Sequence, residues 1–82
     1  MAANEMSFHP GFLILAEMQA RGWSAIRMAR EMGATDRYVR ALIAERVALT
    51  DVMAERVGLA FGTSAELWQN LAKAWREKGG GS

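Results

Sequence analysis

Residues 24–44 read SAIRMAREMGATDRYVRALIA, and this stretch decides the fold. Ser24 stands in front of a helix-forming run, where its hydroxyl can accept from an unpaired N–H of the first turn. Gly33 follows Met32 where a left-handed stop is needed, and Thr35 repeats the capping arrangement two residues later. The pattern predicts a short helix through Met32, a tight turn at Gly33 and Ala34, and a second helix from Asp36 to about Ala44. Asp36 is favourable on the positive end of that second helix. Ala29 fits the crossing point, because two helices meeting at a steep angle need a small side chain where they touch. Ile26, Met28, Ala29 and Met32 give the first helix an apolar stripe, and Val39, Leu42 and Ile43 do the same for the second. The opposite face of the second helix would then present Asp36, Arg37, Tyr38, Arg40 and Ala41 outward.

The same punctuation extends in both directions. Pro10 can open a helix that runs to Arg21 and stops at Gly22, since its missing N–H costs nothing at the first helical position. Thr50 and Asp51 open a helix ending at Phe61 before Gly62, and Ser64 opens a last one to about Lys78, with Lys73, Arg76 and Lys78 near its negative end. No segment alternates over strand length between turn signals, so five helices and an all-α class are expected. Residues 1–8 form an N-terminal arm, 9–78 the single domain, and 79–82 (GGGS) a tail of linker composition.

Composition bounds what such a domain can do. The 82 residues contain no cysteine, so disulfides and thiolate metal sites are excluded and stability must come from packing or from a second chain. The longest apolar run, FLILA at 12–16, is too short to span a bilayer, and residues 1–7 lack a signal-peptide pattern. A cytoplasmic protein away from the membrane is the expectation. Net charge is only +1, yet residues 24–47 hold five arginines (27, 30, 37, 40 and 46) against the acids 31, 36 and 45. That segment carries +2 and the remainder −1, a mild basic bias on the helix–turn–helix, whose second helix has the dimensions to enter a major groove.

No catalytic set stands out: there is no Ser/His/Asp or Cys/His combination and no Gly-rich phosphate loop, so neither an enzyme nor a cofactor is expected. His9, the only histidine, reads as a helix-opening residue rather than a metal ligand or base. Trp68 and Trp75 are seven apart and share a face with Leu67 and Leu71, as core or dimer contacts do. The six methionines read as gap-filling core. One small core is not expected to cover both that stripe and the FLILA helix, which is apolar almost all round. Phe12, Leu15, Trp68, Leu71 and Trp75 are therefore expected at a dimer or partner interface.

Taken together, His9-Pro10-Gly11, Ala29, Gly33, Ala48-Leu49-Thr50, Met53-Ala54, Gly62-Thr63-Ser64, Trp68, Asn70-Leu71 and Ala74-Trp75 make the chain resemble the HigA-type (VapI-like) antitoxin branch of the Xre/phage-repressor helix-turn-helix family. The resemblance covers nearly the whole chain. It implies a five-helix lambda-repressor-like DNA-binding domain whose helix-turn-helix is formed by the second and third helices. It also implies a homodimer that represses its own operon at a palindromic duplex operator, and a toxin partner of the HigB ribonuclease type. By position it places base reading on Thr35, Asp36, Arg37, Tyr38, Arg40 and Ala41, and phosphate contacts on Ser24, Ala25, Arg27 and Arg46.

The chain departs from that pattern at Ala25, where relatives often have Gln, and at Ala44 and Glu45, where Asn-Gly or Thr-Gly is usual. Glu45 would repel a phosphate, which weakens backbone affinity. Positions 12, 15 and 16, usually polar, are Phe12, Leu15 and Ala16. These changes keep open a second expectation: a repressor-fold protein-interaction or engineered assembly module with weakened DNA binding, which uses the apolar first helix.

Overall fold

Every helix begins where the sequence offers a cap. The computed structural model describes residues 8–78, so the expected arm before Phe8 and the expected linker at 79–82 lie outside the described residues. Helix α1 spans Pro10–Arg21, α2 Ala25–Met32, α3 Asp36–Ile43, α4 Asp51–Phe61 and α5 Ala65–Glu77, and there is no strand among the described residues. Ser24, Thr35, Thr50 and Ser64 each accept, through the side-chain oxygen, from the N–H three residues on. At α1 the cap is His9. Its Nδ1 accepts from the Gly11 N–H at 2.9 Å, so Nε2 carries the hydrogen and donates to the Val47 carbonyl at 2.7 Å. The buried imidazole thereby ties the start of α1 to the segment after α3, and its ring meets Trp75 of α5 edge-on at 4.6 Å.

Four helices end in the same way. After α1, α2 and α4 the chain closes through Gly22, Gly33 and Gly62 at φ near +70°, each closure carrying the paired 6→1 and 5→2 bonds of a Schellman turn. After α3 the same turn is made by Glu45 at φ 63°: its N–H donates to the Leu42 carbonyl and the Arg46 N–H to the Ala41 carbonyl. Glu45 is the only non-glycine residue with positive φ among the described residues.

The core draws on all five helices: Ile14 and Met18 of α1, Met28, Ala29 and Met32 of α2, Val39 and Leu42 of α3, Ala54, Val57 and Phe61 of α4, Trp68 and Ala72 of α5, with Leu49 from the loop before α4. α4 and α5 form the most extensive pair, while α2 packs on both α3 and α4. Two close approaches depend on a missing Cβ. A Cβ on Gly11 would sit 2.1 Å from the Leu42 carbonyl oxygen, so only glycine lets α1 rest on the end of α3. One on Gly58 would come within 3.0 to 3.1 Å of the Thr63 and Ala65 backbone, where α5 folds back.

Several expectations about facing are corrected. Trp68 is 1% exposed, not an interface residue: its indole N–H donates to the Thr63 hydroxyl at 2.8 Å and its ring packs on Phe61. Leu71 and Trp75 are half-buried within this chain, Trp75 against His9. One core therefore does cover most of the tryptophan stripe. Ile26, expected inside, stands 55% exposed, and Val52 on α4 is 57% exposed. On α1, Leu15 is half-buried, Ala16 is exposed, and Phe12 is the large apolar residue left largely uncovered, at 62%, with Phe8 edge-on to it.

Candidate nucleic-acid interface

The α2–turn–α3 unit is built from local bonds and anchored from outside. Ala29 is buried at the crossing, and the Ala34 N–H donates to the Ala29 carbonyl as the chain reverses. From α4, Arg56 reaches across and donates to the Gly33 carbonyl at 2.9 Å, satisfying an acceptor at the C-terminal end of α2. Val39 and Leu42 fix α3 on the core by its inner face.

On the outer face of α3, Asp36, Arg37, Arg40, Ala41, Ala44 and Arg46 line one open concavity. The sequence assigned five of these six to a site; Ala44 it left out, although three and four residues back from 44 lie Ala41 and Arg40 on the same face. The Arg40 guanidinium lies 3.3 Å from the Asp36 carboxylate one turn away, an exposed ion pair along the helix. Arg37 and Arg46 form no ion pair among the described residues. The concavity thus holds three guanidiniums against one carboxylate, with a floor of alanine methyls.

Thr35 serves as the α3 cap through its hydroxyl, and Tyr38 does not point outward as expected. Tyr38 packs against the core, and its hydroxyl is buried without a hydrogen-bond partner. Burial pushes its ionisation above the ordinary phenol value. The cause is helical phase: Tyr38 and Val39 are consecutive, and on an eight-residue helix the covered arc extends past the Val39–Leu42 line.

The other assigned residues sit at the start of α2. Ser24 caps that helix, and Arg27 lies over the Trp23 ring at 4.8 Å while its Nε donates to Glu31 at 2.8 Å. Trp23 itself stacks on Phe61, and Arg21 donates to the Phe61 carbonyl at 3.2 Å. Arg27 is therefore held by an aromatic face and a carboxylate beside the first turn of α2. Sequence reading missed Trp23, whose signal was an aromatic directly before a cap and four residues from an arginine.

These features define a class: a five-helix all-α domain with a tight two-helix unit at its centre and an arginine-lined face on the second helix of that unit. Among solved structures, the chain is similar to an addiction module antidote protein of the HigA family from Coxiella burnetii, with a TM-score of 0.79 and 29% sequence identity over 88% of this chain and 79% of that one. The HigA-type resemblance drawn from the residues is thus matched by the fold. No family model matches the sequence, and the comparison with curated proteins found no match. No helix of the described residues is long and apolar enough to cross a membrane.

Proposed function

We propose that the chain is an antitoxin-type transcriptional regulator, not an enzyme, that binds its own operator as a homodimer. The observation that carries this reading is the outer face of α3, where Arg37, Arg40 and Arg46 converge on one open concavity with Asp36 between them. Guanidinium forks donate in pairs to guanine O6 and N7, and a carboxylate accepts from cytosine N4, so the face carries both kinds of base-edge chemistry. Arg46, beyond the end of α3, and Arg27 with Ser24, at the start of α2, flank it where phosphates run on either side of a major groove. Two copies related by a two-fold axis would place two α3 helices about 34 to 36 Å apart on a palindrome. The similarity to a HigA-family antidote supports the antitoxin role, and the reading includes a toxin partner, of the HigB ribonuclease type that the sequence resemblance implies, met in the cytoplasm.

Selection of duplexes from a randomised library, followed by titration of variants, tests this. Arg37→Ala and Arg40→Ala should each relax preference at particular base pairs, by about 1 to 3 kcal/mol of discrimination. A library from which no sequence is enriched would overturn the proposal. Phe12, 62% exposed with Phe8 beside it, favours a second reading as a protein-interaction module. Light scattering on Phe12→Glu addresses it: a mass unchanged from wild type removes α1 from self-association.

A further inference from the structure

Among the large apolar side chains left exposed, Phe12, Ile26, Val52, Leu59 and Leu67, it is Ile26 that borders the arginine-lined face of α3. Ile26 is 55% exposed on α2, a helix whose other large apolar residues, Met28 and Met32, are buried. With Ala29, Arg30, Ala34 and Asp36 it lines an open groove where α2 meets the first turn of α3. That groove shares Asp36 with the arginine-lined concavity of α3, so the two surfaces are continuous.

We propose that Ile26 is a specificity-determining residue that reads the 5-methyl group of a thymine next to the base pair faced by Asp36. This rests on the proposed insertion of α3 into the major groove. The thymine methyl is the one apolar group that base edges display in that groove, and phosphates and sugars at its rim offer Arg30 an anionic partner. An isoleucine beside an arginine matches a thymine methyl flanked by a phosphate, while the Asp36 carboxylate is left to accept from the neighbouring base pair. In a helix the branched side chain keeps essentially one rotamer, so little freedom is lost when a methyl packs on it.

The test uses a duplex enriched from the randomised library by the wild-type chain, in which each thymine is replaced singly by deoxyuridine, a base that lacks only the methyl group. Removal of one buried methyl predicts a loss of affinity of about threefold to fivefold at one thymine per half-site. Ile26→Ala should bind the thymine and uracil versions of that position equally, and Ile26→Val should keep part of the difference. Because the side chain is exposed, both variants should unfold at the wild-type temperature. If every thymine-to-uracil penalty survives in Ile26→Ala, or if none exists in the wild type, the assignment of Ile26 is wrong while the reading of α3 stands. A library that yields no enriched duplex overturns both.

Discussion

Replacing Glu45 by glycine should make this protein more stable and a tighter binder of duplex DNA at once, and the two gains have separable causes. Glu45 holds φ at 63° in a Schellman turn whose three counterparts in the same chain are glycines. A side chain in the left-handed region costs about 1 to 2 kcal/mol through its Cβ, which glycine removes. Against this, glycine gives the unfolded chain more freedom, worth about 0.4 to 1 kcal/mol. The net expectation is a stabilisation of about 0.5 to 1 kcal/mol, or a rise in Tm of roughly 2 to 8 °C for a domain of this size. Glu45→Ala separates the causes, since it removes the carboxylate but keeps the Cβ. Thermal unfolding by circular dichroism should rank glycine above both wild type and alanine. Titration with duplex should show both variants binding more tightly than wild type by similar factors, because both remove a negative charge next to Arg46. If Glu45→Gly unfolds at or below the temperature of Glu45→Ala, the strain argument fails. If neither variant gains affinity, Glu45 does not face a phosphate.

Other outcomes follow from the packing and the charges. Tyr38→Phe removes a buried, unpartnered hydroxyl and should leave Tm unchanged or raise it by a few degrees. Because burial raises the ionisation of this only tyrosine, its neutral form stabilises the fold below the ordinary phenol value near 10, and that contribution is lost as pH rises through the folded value. Wild type should therefore lose stability above about pH 10 faster than Tyr38→Phe in matched unfolding curves. Gly11→Ala drives a Cβ into the Leu42 carbonyl and should cost more than about 2 kcal/mol in denaturant unfolding, the mark of a backbone shift rather than a side-chain adjustment. Arg46→Ala should weaken binding to every duplex alike and reduce the slope of log affinity against log salt by about one, whereas Arg37→Ala should act on particular sequences.

Much of the fold could be read without coordinates because its punctuation is local. Ser24, Thr35, Thr50 and Ser64 act on N–H groups three residues away, and Gly22, Gly33 and Gly62 act on their own dihedral angles, so each signal sits next to its effect. Glu45 was hidden in its own identity, because nothing in a glutamate announces a left-handed backbone; the signal lay in the glycine usual at that position in the resembled family. Facing was less legible. Trp68 is covered because Phe61 and Thr63 come back over it across the α4–α5 turn, and Ile26 is uncovered because no helix packs against that side of α2. Both facts depend on neighbours far from the residue's own periodicity. In the candidate site, the arginines of α3 were recognisable by spacing, while the inward turn of Tyr38 and the anchoring of the Gly33 carbonyl by Arg56 required the assembled bundle.

The claim on which the functional account rests is that α3 reads base edges, and one titration addresses it most directly. Binding of the wild-type chain to its library-enriched duplex and to a scrambled duplex of the same composition should be measured at two salt concentrations. The account predicts that affinity for both falls as salt rises, while the enriched duplex remains preferred by at least tenfold at the higher salt, since base contacts survive screening better than phosphate contacts. Equal affinities for the two duplexes at both salt concentrations would contradict it.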